Sequence, residues 1–289
     1  MLTSLLRVTP RSPTADPEDV FSAALGTLFT DDLRNQHGDP GAVIAYLSRR
    51  LDRALNLAVA DPAGEEERKK FAHYLWNAGV LMAELVGGRP AWEEQGDKTE
   101  RLLGGLEWRL EGGSREWWVD GREEQVWRVE GERVVISDYP APEILENLEK
   151  NVKTNVPETL RSKVSVQGHL WGDLTSPFSV ANAGRFTRIL AADCLWMPHE
   201  HHSLAKSMLH SLSPAPEARV LVIAGFHTGR ASMAPFFKIV EEEGLKAEDI
   251  YEMDAEGRRR DWAFEKDGGR EDHGERNKWL VIAQLKRKQ

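Results

Sequence analysis

The chain has 289 residues, of which 40% are hydrophobic and 29% charged, and its formal net charge is −9. Such a composition describes a globular protein with a substantial core, and the acidic balance argues against a nucleic-acid surface as the main partner, because phosphates need a basic face. No run approaches the roughly 18 apolar residues of a membrane-spanning helix, the amino terminus is too polar and proline-broken for a secretory signal, and the one cysteine, Cys194, excludes an internal disulfide and fits a reducing, cytoplasmic setting.

Residues 1–17 read as a flexible tail, followed by a single domain over 18–289. A short amphipathic helix is expected over 18–30, and the Asp, Asn, Gly and Pro crowded into 31–42 predict a turn. Short strands are expected on either side of Ser48-Arg49-Arg50. Residues 65–88 predict a helix with an acidic start, an apolar middle and Gly87-Gly88 at its end.

From Val134 onward the rhythm is regular. "RVVISD" is a strand and "PEILENLEKNVKTN" a helix opened by Pro142; "KVSVQGHLWGD" and the nearly all-apolar "TRILAADCLW" are strands. "EHHSLAKSMLHSLS" is a helix, "ARVLVIAGF" a strand, "SMAPFFKIVEEEG" a helix, and "AEDIYEM" and "NKWLVIAQLKR" the closing strands. The alternation predicts an α/β, Rossmann-like, mostly parallel sheet. No clear helix separates the last two strands, so they are expected as an antiparallel pair at one edge. The charged run 254–276 between them reads as a solvated loop.

The segment 92–130 breaks this rhythm. Seventeen of its 39 residues are charged, five of the ten tryptophans fall in it, and its longest aliphatic run is Leu102-Leu103. A central parallel strand made of aliphatic residues is not visible there. Its glycines, at 104–105, 112–113 and 121, do not follow an apolar run and predict no cofactor-cradling turn.

Two acids follow apolar runs at places where α/β sheets bind ligands, beyond the carboxyl ends of strands. Asp138 closes "VVISD" and reads either as a ribose acceptor or as a helix N-cap. Asp193 follows "TRILAA" and reads as a site acid or a satisfied loop acid. His227, after the strand "ARVLVIAGF", is a candidate for the pocket wall. The cluster His199, Glu200, His201 and His202 invites a metal reading, but adjacent residues on a helix point in different directions, so no metal is expected. Cys194 in its apolar strand reads as an inert thiol.

"FAHYLWNAGVLMAEL", "VVISDYP", "GHLWGD", "LAADCLWMP", "AGFHTGR" and "KWLVIAQLKR", in this order, resemble the fungal class I methyltransferases of the lysine methyltransferase superfamily, which includes METTL-type and nicotinamide N-methyltransferase-like enzymes. The resemblance covers residues 18–90 and 131–287. It implies a seven-stranded sheet with a reversed final strand and S-adenosylmethionine as cofactor. It places Trp76 over the cofactor, Asp138 at the ribose hydroxyls, Trp171 beside the adenine, Ala192 at the methionine end and Asp193 facing the methyl group and substrate.

The resemblance further implies a protein substrate, for example the amino terminus or a lysine of translation elongation factor 1-alpha, acted on by a monomer. Nicotinamide or another small amine is the alternative, since a pyridine nitrogen needs no deprotonation. Relatives carry a first strand ending in E-L-G-A-G-x-G just before the Asp138 strand; here 92–130 stands in that place, so the first strand and glycine loop are expected to be disrupted. An inactive relative that only binds a protein partner, and a metal-dependent hydrolase using the histidine cluster, stay open beside the methyltransferase reading.

Overall fold

The computed structural model describes residues 2–9, 36–38, 42–48, 51, 53–60, 74–86, 116–121 (backbone) and 133–288. The helix expected over 18–30, the start of the 65–88 helix, and most of 92–130 lie outside the described residues.

The main sheet runs β8 (Val164–Gly168), β7 (Arg133–Asp138), β6 (Glu116–Gly121), β9 (Arg188–Ala192), β10 (Arg219–Gly225), β13 (Trp279–Arg287), β11 (Leu245–Asp254) and β12 (Arg259–Asp261) from edge to edge. The first five are mutually parallel, and β13 is antiparallel to both β10 and β11. The reversal follows from the connection. The chain leaves β11 and returns into β13 at the same edge of the sheet, and without a crossover helix it can only return antiparallel.

The strands alternate between two cores, which is why they read as continuous apolar runs. Ile136, Leu190, Ile223 and Ile282 face one core, while Val135, Ile189, Val222 and Val281 face the other. Helices α2 (Pro142–Asn155) and α5 (His201–Ser211) cover opposite faces, through Ile144 and Leu148 on one side and Leu204 and Met208 on the other.

Four expectations are corrected. The segment 92–130 does hold a central strand: Glu116–Gly121 pairs in parallel with β7 (Trp118 opposite Val135) and with β9 (Trp118 opposite Ile189). Its sequence, "EWWVDG", is short of aliphatics, but tryptophan and valine are strand formers, so aromatic residues take the place that a search for aliphatic runs leaves empty. Gly121 therefore does end a strand, at the carboxyl edge.

The tail is the second correction: Leu2–Leu5 forms a 3-10 turn and β1 (Leu6–Thr9) pairs with β3 (Val43–Tyr46), which in turn pairs with β4 (Leu55–Ala58) as expected. Leu2 is fully buried, since this small sheet caps the first core. Residues 10–17 lie outside the described residues.

Third, Leu75–Trp76 is not helical. It pairs as β5 with β2 (Gln36–His37), the latter inside the expected turn, and helix α1 starts only at Asn77, running to Val86. The helix expected over "SMAPFFKIVEEEG" likewise splits into α6 (Arg230–Met233) and α7 (Phe236–Glu242) around Pro235, which lacks the N–H a continuous helix needs.

Fourth, the charged run 254–276 is no solvated loop throughout. It contributes β12 and one arm of a buried ion cluster formed by Arg230, Glu252, Arg260 and Glu271.

A ladder of asparagines fastens α2 to the edge of β4. Asn151 accepts from the Ala58 N–H at 2.8 Å and donates to the Ala58 carbonyl at 2.9 Å; Asn155 does the same with Asn56, at 2.8 Å each way. Asn147 adds a donor to the Ala58 carbonyl at 2.7 Å. Their spacing of four puts the three amides on one helix face, where they pair with the strand as another strand would. Asn155→Ala strands the part-buried Asn56 N–H and carbonyl, and Asn151→Ala strands the Ala58 N–H while Asn147 keeps the carbonyl; each is expected to cost about 1–3 kcal/mol, read as a shift in the urea midpoint with an unchanged slope.

Candidate functional site

The carboxyl ends of β8, β7, β6, β9 and β10 line one edge of the sheet, and the residues singled out from sequence fall along it. Asp138 is the last residue of β7 and Ala192 the last of β9, with Gly121 of β6 between them. Two strand spacings put Asp138 about 10 Å from Ala192 along the edge. Asp138 Oδ1 accepts from the Tyr139 N–H at 2.6 Å. It does not cap the following helix, whose N-cap is Ala141 without a side-chain hydrogen bond.

Asp193 holds the next position. It is 2% exposed and sits at φ +58°, a left-handed conformation that Asp and Asn tolerate better than other residues with a side chain. Two hydrogen bonds hold it there. Its N–H donates to the Ile223 carbonyl at 2.7 Å, and its Oδ1 accepts from the Gly225 N–H at 3.0 Å. The bland alternative of a loop acid with every oxygen satisfied is not what is found, since Oδ2 is buried without a partner among the described residues.

His227 lies beside it, Nδ1 at 3.9 Å from Asp193 Oδ1, and its ring stacks on Trp76 with centroids 4.4 Å apart and an interplanar angle of 29°. The structure thus brings Trp76, Asp193 and His227 together from three separate parts of the chain. Trp171 is not brought to this group. It follows β8 three strands away, with its ring packed against the second core.

Two neighbours were missed by sequence reasoning. Asn77 is 2% exposed and its Oδ1 accepts from His37 Nε2 at 2.7 Å, so β2 and β5 are tied together directly behind Trp76. Gly225 allows close approach of the backbone: a Cβ there would lie 3.2 Å from His227 Nδ1 and 3.7 Å from Asp193 Oδ1. The only sequence signal was adjacency, Asn77 to Trp76 and Gly225 to "FH".

The histidines of 199–202 point apart. His201 is buried and its Nε2 donates to the Leu195 carbonyl at 3.0 Å, while the half-exposed His202 meets Glu243 at 2.8 Å. Among the described residues no three His, Cys, Asp or Glu side chains gather as a metal-binding group would. Cys194 is buried and its Sγ faces the Ala192 carbonyl at 3.4 Å.

His169, next to the β8 end, is buried against Phe178 and bonded through Nε2 to Ser207 Oγ at 3.0 Å. Burial pushes its imidazole down to about 4; Asp173 opposes this and His210 adds to it. Because the folded value lies below the unfolded one, its contribution is complete above pH 6.5 and is lost as pH falls towards 4. The loss is roughly 3 kcal/mol. Urea unfolding at pH 7 and at pH 4.5 checks this, with a smaller difference expected for His169→Phe.

The order of the sheet, its single reversed long strand and an acid-lined carboxyl edge define a class I methyltransferase type of α/β protein. The family model for lysine methyltransferases matches residues 123–243. The protein N-terminal and lysine N-methyltransferase efm7 of Schizosaccharomyces pombe is 32% identical over 74% of this chain and 82% of its own length. The proteins of the same name from Candida glabrata and Aspergillus fumigatus are 27% and 28% identical, over 66% and 68% of their lengths. The chain belongs to this family of protein N-terminal and lysine methyltransferases.

Proposed function

We propose that the protein transfers a methyl group from S-adenosylmethionine to a protein amine, an amino terminus or a lysine, with a translation elongation factor as the substrate. The observation that carries the reading is the buried Asp193 Oδ2 at the carboxyl edge, without a partner among the described residues, on a carboxylate beside the stacked pair of Trp76 and His227. A buried carboxylate oxygen without a partner costs free energy unless a ligand meets it, and a substrate ammonium is the cation that suits it.

The residues fit the cofactor. Trp76 Nε1 is a buried donor with no partner among the described residues. Trp171 after β8, Asp138 at the end of β7 and Ala192 at the end of β9 succeed one another along the edge. Asp138 would accept from the ribose hydroxyls, Trp171 would flank the adenine, and Ala192 would leave room for the methionine end. When bound, S-adenosylmethionine supplies the activated methyl group. The chain's own part is to hold the amine in line with it and to keep water out.

Family membership favours a protein amine over nicotinamide. The central strand Glu116–Gly121 supplies the first strand that the inactive reading takes to be lost, while the glycine loop expected after it falls on residues outside the described ones. We extend the proposal to a monomer acting in the cytoplasm, on the single buried cysteine and on the location of translation factors.

Titration calorimetry with S-adenosylmethionine tests the reading. Asp138→Ala is expected to weaken binding by about 10- to 100-fold, the loss of hydrogen bonds to a charged group, without a change in melting temperature. Intact-mass analysis of unmethylated elongation factor 1-alpha incubated with the protein and cofactor should show added methyl groups. Failure of the wild-type protein to bind the cofactor would sink the proposal.

A further inference from the structure

Three buried polar atoms at this edge have no hydrogen-bond partner among the described residues: Trp76 Nε1, Asp193 Oδ2 and His227 Nδ1. They belong to three residues in one contact chain, Trp76 stacked on His227 and His227 beside Asp193. Gly225 lets the end of β10 pack closely against this group, because a side chain at this position would begin 3.2 Å from His227 Nδ1. Groups gathered this way at a sheet's carboxyl edge and left unsatisfied mark a ligand's polar end rather than a packed core.

We propose that His227 is the base that takes the proton from the substrate's ammonium group, with Trp76 fixing its ring and Asp193 holding the cation. The inference rests on the methyltransferase reading above. Protein amines are largely protonated at neutral pH, and a protonated nitrogen has no electron pair to attack with. In the step, one N–H bond of the ammonium breaks and its electron pair stays on nitrogen. The proton bonds to His227 Nδ1, turning a neutral imidazole into an imidazolium. Nδ1 is buried but the side chain is 18% exposed, so the imidazolium can return to neutral by giving its Nε2 proton to solvent.

Asp193 suits the other task. A carboxylate is too weak a base for efficient proton removal near pH 7, where an imidazole is well matched, but its charge stabilises first the ammonium and then the imidazolium. Among the described residues the groups facing His227 are few. Asp193 comes from the end of β9 and Trp76 from β5. The Arg276 guanidinium stands beside Gly229, 4.0 Å from where a Cβ would be. Arg230, three residues on, is committed to Glu252 and Glu271.

Two variants separate proton transfer from positioning. His227→Phe keeps an aromatic ring on Trp76 and removes the acceptor; His227→Gln keeps polarity and removes titration. With unmethylated elongation factor 1-alpha as the probe, both are expected to lower kcat at pH 7 by about 100-fold or more. The deficit should shrink towards pH 10, where the amine loses its proton to water. KM and the calorimetric affinity for S-adenosylmethionine should stay near wild type. Independently of turnover, the nitrogen NMR signals of His227, identified by their absence from His227→Gln, should show Nδ1 without a proton at pH 8. A His227→Phe enzyme as fast as wild type, a deficit equal at every pH, or an Nδ1 that carries the proton at pH 8 would each overturn the proposal. Wild-type protein that binds no cofactor would instead overturn the reading beneath it.

Discussion

Asp193→Asn is expected to lower kcat for methyl transfer by about 100-fold or more while leaving the fold intact. Asparagine tolerates the left-handed φ of +58° and its carbonyl oxygen can still accept from the Gly225 N–H. The substitution therefore removes the charge and little else. Asp193→Ala removes the charge and both of those structural supports, so it should lose the same activity and, in addition, about 1–3 kcal/mol of stability. Saturating both substrates and measuring kcat beside a thermal melt distinguishes the two. Equal activity of wild type and Asp193→Asn would mean that the carboxylate has no part in holding the amine.

Arg230→Met is expected to cost the largest stability of any single change at the described residues, about 3–5 kcal/mol. Arg230 forks to Glu252 at 2.6 and 3.1 Å and to Glu271 at 2.8 and 2.9 Å, and donates to the Ala263 carbonyl at 2.9 Å. Phe226 stacks on its guanidinium at 4.3 Å. Glu252 is fully buried, so removing Arg230 leaves it with Arg260 as its principal cation. The cluster fastens β12 and the 262–272 segment to the end of β10, next to His227. Urea unfolding of the variant measures the cost, and a change below about 1 kcal/mol would show that Arg260 alone balances the two carboxylates.

The same cluster has an acid limit. Burial pushes Glu271 up, but the hydrogen bonds and charge of Arg230, with Arg260, outweigh it and hold the carboxyl below its ordinary value. A carboxyl held low in the folded state adds stability at neutral pH. That stability is lost as pH falls below the usual glutamate range and through the lowered folded value.

Much of the sheet was legible because strands buried on both faces must be apolar throughout. "RVVISD", "TRILAA" and "ARVLVIAG" could be read as strands on that ground, and Pro142 marked the start of α2. The strand "EWWVDG" was not legible for the converse reason. It is written in aromatic rather than aliphatic strand formers, among dense charges that suggest solvent. The leading "LTSLLRVT" was read as a tail because eight residues carry no periodic signal, and only the core that Leu2 fills explains its order. The asparagine spacing in α2 was visible, but a helix face of amides has no meaning until an open strand edge stands opposite it.

The sequence by itself determined the α/β rhythm, the reversed edge pair and the acids at the strand ends, because each depends on local pattern or on the character of one run. It also determined family membership, which six motifs in order already carried. Only the tertiary structure decided which of the site residues meet. Trp76 reaches His227 and Asp193, and Trp171 does not, because strand order sets distances across the edge and no local property of the chain encodes that order. That Asp193 Oδ2 has no partner among the described residues is likewise a fact about its surroundings, and burial without a partner can be seen only when neighbours from distant parts of the chain are in place.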